Sequence, residues 1–273
     1  MRHALTIAGS DSGGGAGIQA DLKTFAAFGV YGTSAITAVT AQNTLGVTIT
    51  GALSADLVTA QIEAIAGDIR IDATKIGMLA TAAVVEAVAS AIEELDLPLV
   101  VLDPVMVSSS GERLLDEDGI QALRFELLPH ARVVTPNIPE AEVLSGCRIV
   151  SSDDRRRAAE RIHQMGAAAV VITGGHPIGP VHHVVDAGAD VVDLLFDGTS
   201  FTELRTPRVG TAMHGTGCTF ASALAAGLAQ GEPLATAAGR AQQYVAGAIA
   251  RGIAIGRGAG VLNHFWQTPS SHQ

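Results

Sequence analysis

The sequence is short of cysteine, of charge and of unbroken apolar runs, and each shortage removes a class of function. It has two cysteines in 273 residues, Cys147 and Cys218, in unrelated contexts. A disulfide framework is not expected, and a reducing cytoplasm is. Charged residues make up 16%, and the 17 basic against 27 acidic residues leave a net charge of -10. Sequence-independent nucleic-acid binding needs a basic face and is not expected. No run of 18 or more apolar residues occurs, and Gly9 and Asp11 interrupt the first apolar segment, so neither a membrane span nor a signal peptide is read. What is abundant is scattered Ala, Val and Ile. Hydrophobics at 48% provide for a large core in one α/β domain over 1–273.

Short apolar runs alternate with longer helical patterns. Strands are expected at 4–8, 34–41, 46–50, 73–77, 99–102, 133–134 and 168–172. Helices are expected at 16–29, 54–66, 81–94, 117–128, 138–145, 153–165, 217–230 and 233–251. Three shorter β pieces, expected to be antiparallel, are read over 181–206 as a small β-flap. The alternation predicts a mostly parallel sheet covered by helices on both faces. In such sheets ligands lie past the carboxyl ends of the strands. Gly9–Gly15, Gln42-Asn43, Gly77-Met78, Asp103, Asn137–Glu140, Gly174-Gly175 and Gly215–Cys218 all fall at that edge.

His214-Gly215-Thr216-Gly217-Cys218 opens a helix. Small residues there let backbone amides converge on an anion, and a thiol in the first turn is expected to titrate below its usual value. The plain alternative is a helix start with a small buried Cys. Gly15-Ala16-Gly17-Ile18-Gln19-Ala20 fits the dinucleotide fingerprint, but the second strand ends in Gln42-Asn43 where a ribose-binding acid belongs. Gly210–Gly215 resembles the front of a P-loop, with Thr216 in place of the lysine, so a Walker-type NTPase is rejected. Asn137-Ile138-Pro139-Glu140 reads either as an ordinary helix start or as a Mg²⁺-phosphate site, and Asp103 either as a turn residue or as a carboxylate for hydrated Mg²⁺. His163, His176, His182, His183 and His214 do not make a zinc set. Arg155-Arg156-Arg157 is read as a solvated face.

Together these residues resemble the ribokinase-like superfamily, and closely its hydroxymethylpyrimidine/phosphomethylpyrimidine kinases. The landmarks are Gly9-Ser10-Asp11, Gly14-Gly15-Ala16-Gly17, Asp21, Ala41-Gln42-Asn43-Thr44, Lys75-Ile76-Gly77-Met78, Asp103-Pro104-Val105-Met106, Thr135-Pro136-Asn137-Ile138-Pro139-Glu140 and His214-Gly215-Thr216-Gly217-Cys218-Thr219. They span nearly the whole chain. Most members of the superfamily carry Asp where this chain has Cys218. The resemblance implies a three-layer α/β/α fold and ATP-dependent phosphorylation of 4-amino-5-hydroxymethyl-2-methylpyrimidine, then of its monophosphate. It implies Gln42 against the aminopyrimidine, with Gly9, Asp21, Met78 and Val105 around it. It also implies Asp103, Asn137, Gly174 and Gly175 toward ATP, and Glu140 and Asp103 toward Mg²⁺. Cys218 would be the base, within the Gly215-Thr216-Gly217 anion hole, and the assembly a homodimer. The chain departs from the pattern at Thr173, where many relatives have Lys, at Ala212-Met213 for Asn-Thr, and over 177–206. Pyridoxal kinase activity, a non-catalytic pyrimidine-binding protein and a dehydrogenase are the other readings.

Overall fold

The computed structural model describes residues 1–108, 111–175, 190–209 and 213–267. Among the described residues nine strands make one sheet: β1 (Arg2–Asp11), β2 (Val30–Asn43), β3 (Gly46–Ala52), β4 (Ala73–Ile76), β5 (Val100–Leu102), β6 (Val133–Val134), β7 (Val170–Ile172), β8 (Asp190–Phe196) and β9 (Phe201–Pro207). Their order is β3-β2-β1-β4-β5-β6-β7-β8-β9. The six strands from β2 to β7 are mutually parallel, and β3, β8 and β9 join antiparallel at the two ends. The β pieces expected within 181–206 are represented by β8 and β9, which continue the same sheet from β7. Residues 181–189 lie outside the described residues.

Helices cover both faces. On one lie α2 (Ala55–Ala66), α3 (Ala82–Glu94), α4 (Glu117–Ala122), α5 (Ile138–Ser145) and α6 (Ser152–Gln164). On the other lie α1 (Gly17–Ala27), α7 (Thr216–Ala229) and α8 (Leu234–Ala250). Strand side chains alternate between two cores, as the two-residue period of a strand requires. Leu5, Ile7, Val100, Leu102, Val134, Val170 and Ile172 point one way, and Ala4, Val101, Val133 and Val171 the other.

Two sequence expectations are corrected. The helix expected over 117–128 is α-helical only to Ala122. A π turn (Leu123–Leu127) and a 3₁₀ turn (Leu128–His130) follow, the latter holding Pro129, which cannot donate to a continuing helix. Arg155 is buried rather than solvated. Its Nη1 donates to the Val192 carbonyl at 2.7 Å, tying α6 to β8. Because the central strands run parallel, their carboxyl ends share one edge, and the start of α7 arrives at that edge.

Candidate active site

Two Gly-rich turns abut at this edge. Gly215 has φ +88°, and a side chain there would strike the Gly15 carbonyl. Gly17, at φ +56°, is pressed in the same way against the Gly9 carbonyl. Only glycine fits this left-handed, crowded backbone. No side chain caps α7, so the amides of its first turn (Thr216, Gly217 and Cys218) are left for a ligand. The amide of Gly17 donates to Cys218, joining the start of α1 to the start of α7.

Under that turn lies a buried charge cluster. Asp103, at the end of β5, faces the Cys218 thiol. Lys75 of β4 and Asp21 of α1 are both fully buried and paired at 3.0 Å. Hydroxyls of Thr6 and Ser222 each donate to Asp21 at 2.6 Å. Asp21, expected beside the substrate, is therefore corrected: its carboxylate is consumed beneath the floor of the site. Burial works to lower the Lys75 pKa, yet Asp21, Cys218 and Asp103 together raise it, which favours the charged ammonium. Nothing in the apolar pattern of β4 marked it beyond a lone lysine in a four-residue buried strand.

The Cys218 titration is a second correction. Burial, with Asp103 and Asp21 adding negative charge, pushes the thiol up to about 12, although Lys75 and the Gly17 amide pull the other way. The helix start alone is outweighed by charges brought in from β5 and α1.

Glu140, in the first turn of α5, stands near Asp103. Asn137 caps α5 in a reciprocal box: its side chain accepts from the Glu140 amide at 3.0 Å, and Glu140 accepts from the Asn137 amide at 2.9 Å. Burial and the neighbouring Asp103 raise the Glu140 pKa, while burial and Asp21 raise that of Asp103. Asp103 Oδ2 is buried without a hydrogen-bond partner. Two mutually repelling carboxylates, one with an orphaned oxygen, fit a divalent cation carried in with phosphates, which takes one or two protein carboxylates. Among the described residues no cluster of three or more metal-ligating side chains exists.

Gln42 ends β2 beside the same turn, with its amide between His214 and Thr40. Met78 Sδ would be 3.0 Å from a side chain at Gly9, and Val105 is partly exposed just past Asp103. Gly9 is thus on β1 and Gln42 on β2, while Met78 and Val105 lie just past β4 and β5, close in the chain to Lys75 and Asp103 of the charge cluster. Gly174 donates its amide to Asp193 at 2.7 Å, and the Gly175 carbonyl accepts from Arg208 at 3.4 Å, at the end of β7. Cys147 is not at the site and receives Arg161 Nη1 at 3.1 Å. His176, His182, His183 and Ala212 lie outside the described residues. Sequence reasoning left Lys75, Thr6, Ser222, Asp193 and the Asp11–His214 pair without a role. Their signal is polar residues inside otherwise apolar strands and helices.

The family model for phosphomethylpyrimidine kinase matches residues 11–263. A hydroxymethylpyrimidine/phosphomethylpyrimidine kinase from Bacillus subtilis is 48% identical, covering 96% of this chain and 94% of that protein. The thiamine biosynthesis bifunctional protein ThiED of Geobacter sulfurreducens is 47% identical over 96% of this chain and 52% of its own length. Among solved structures, the ADP complex of Bacillus subtilis pyridoxal kinase superposes with a TM-score of 0.87 at 39% identity, covering 98% of each chain.

Proposed function

The chain belongs to the phosphomethylpyrimidine kinase family, and on that premise we propose that it transfers phosphoryl groups from ATP to 4-amino-5-hydroxymethyl-2-methylpyrimidine and then to its monophosphate, in thiamine biosynthesis. One observation carries the reading. The uncapped amides of Thr216, Gly217 and Cys218 meet Asp103 over a buried lysine, an anion hole set beside carboxylates suited to a cation. Phosphoryl transfer asks a protein mainly for such positioning and charge placement.

In this reading Gln42 contacts the pyrimidine and Gly9, Met78 and Val105 wall its pocket. Asp21 supports the site from below through Lys75. Asn137, Gly174 and Gly175 serve the nucleotide side. Asp103 and Glu140 would hold Mg²⁺, which when bound neutralises ATP phosphates and offsets the carboxylates that push the thiol up. The amides of the Gly215–Cys218 turn gather the charge of the transferring phosphoryl group. Cys218, held as the thiolate by Lys75 and the Gly17 amide, takes the hydroxymethyl proton on Sγ and becomes the neutral thiol. The one continuous sheet supports residues 1–273 as a single kinase domain. The edge strand β3, with Leu45 and Ile49 exposed beside it, supports a homodimer. Two free cysteines and the absence, among the described residues, of any helix fit to cross a membrane support a cytoplasmic location.

Cys218→Ser tests the base. Turnover should fall by roughly 10²–10⁴, with nucleotide binding and the melting temperature retained, and Cys218→Asp should recover part of it. Wild-type turnover by the serine variant, with chemistry rate-limiting, would remove Cys218 from the mechanism.

A further inference from the structure

The Gln42 amide has a partner on each side. Its Nε2 stands 2.9 Å from His214 Nε2, and its Oε1 stands 3.0 Å from Thr40 Oγ1. A half-turn about χ3 exchanges amide oxygen and nitrogen without changing the shape of the side chain, so the surrounding protons decide which end faces which partner. Thr40 has one hydroxyl proton, and the Ser10 carbonyl at 3.0 Å, a pure acceptor, takes it. Thr40 Oγ1 is left to accept, which calls for the amide NH₂ on its side.

The other side is decided by Asp11. Its carboxylate accepts from the amides of Gly13 at 2.8 Å, Gly15 at 3.0 Å and Ala16 at 2.8 Å. Burial opposes ionisation, yet His214 and these amides hold the carboxyl below its usual range. Asp11 Oδ2 lies 3.1 Å from His214 Nε2. An ionised carboxylate only accepts, so Nε2 carries a proton there, and a protonated Nε2 needs the amide oxygen rather than the NH₂ of Gln42. Both sides select the turned orientation: Oε1 toward His214 and Nε2 toward Thr40.

We propose that Asp11, His214 and Thr40 lock the Gln42 amide in this polarity, making His214 the residue that sets which heteroaromatic alcohol is phosphorylated. The proposal rests on the reading of Gln42 as the substrate contact. Around the pyrimidine ring the order is hydroxymethyl on C5, amine on C4, then N3. The hydroxymethyl must reach Cys218, and His214 immediately precedes Gly215 of the same turn. The amine therefore falls on the His214 side and donates to Oε1, while N3 falls on the Thr40 side and accepts from Nε2. Pyridoxal presents an aldehyde oxygen at the position next to its hydroxymethyl-bearing carbon, setting lone pair against lone pair. A 4-oxo analogue of the pyrimidine, with C4=O and N3–H, reverses both contacts. His214 is thus a positioning residue that acts on substrate choice through Gln42.

The test compares kcat/KM for the aminopyrimidine and its 4-oxo analogue in the full-length protein. Wild type should favour the amine by about 10²-fold or more, since the wrong partner leaves buried polar groups unpaired. His214→Asn, whose amide ends one atom short, should cut that ratio by roughly tenfold or more, about one buried hydrogen bond, with KM for ATP unchanged. His214→Gln, which returns an N–H to the Nε2 position, should restore the ratio. Thr40→Val should lower it independently, and it carries the readout if His214→Asn does not fold. An unchanged ratio in folded His214→Asn or in Thr40→Val overturns the lock. So does an equal loss on both pyrimidines and ATP. If instead Gln42→Ala leaves KM for the aminopyrimidine unchanged, the substrate reading itself fails, and the proposal with it.

Discussion

Lys75→Met removes the cation beneath the site and tests whether that charge supports the fold, the chemistry or both. Lys75 Nζ lies 3.0 Å from Asp21 Oδ2, with both side chains fully buried. At that distance, with an effective dielectric of about 20, the attraction is roughly 5 kcal/mol. Removing one member of such a pair generally costs about 3–5 kcal/mol, because the other stays buried and charged. Thr6 and Ser222 still donate to Asp21, which places the expected loss toward the lower end of that range. For a chain of this size the melting temperature should fall by roughly 6–12 °C. Turnover should fall too, because Asp103 and Cys218 lose the same cation. In Lys75→Met/Asp21→Asn no charge of the pair is stranded, so stability should return largely to wild type while turnover stays low. Urea denaturation followed by circular dichroism reads the first effect and coupled ADP release the second. A single variant melting within about 2 °C of wild type would refute the stability argument. Full turnover in the double variant would show that Lys75 serves Asp21 alone.

Gln42→Ala should raise KM for the aminopyrimidine far more than KM for ATP if the amide contacts the pyrimidine as proposed, and equal losses would contradict that placement. His264 gives the pH dependence. It is buried and bonded to Thr219 Oγ1 at 3.0 Å, and burial, helped by Lys23, lowers its pKa to about 4. An unfolded histidine titrates near 6.5, so as pH falls the unfolded chain binds the proton first. This contribution is whole above about pH 6.5 and is lost between about pH 6.5 and 4, by roughly 3 kcal/mol at most. The urea midpoint should drop across that window in wild type and less in His264→Gln, and parallel profiles would count against the assignment.

The strand–helix alternation was legible where a central strand is a short apolar run buried on both faces, as Val100-Val101-Leu102 and Val170-Val171-Ile172 are. The edge residues of the site were legible because Gly, Asp and Asn stand where such runs stop. What could not be read was depth. Asp21 and Gln42 look alike as polar residues near Gly turns, yet one is sealed under Thr6, Ser222 and Lys75 and the other is partly open. The Cys218 titration failed for the same reason. Its helix position is local and visible in sequence, whereas the carboxylates that oppose ionisation come from Asp103 and Asp21, far away along the chain. The polarity of Gln42 depends on Asp11, Thr40 and His214, which only the fold brings together.

The central claim is tested most directly by ADP release from ATP and Mg²⁺ with three acceptors offered singly: 4-amino-5-hydroxymethyl-2-methylpyrimidine, its monophosphate and pyridoxal, with the products identified by mass. Release with both pyrimidines, ending in the diphosphate, and a kcat/KM for pyridoxal lower by about 10²-fold or more, is the expected result. Release with pyridoxal alone, or with none of the three, would contradict it.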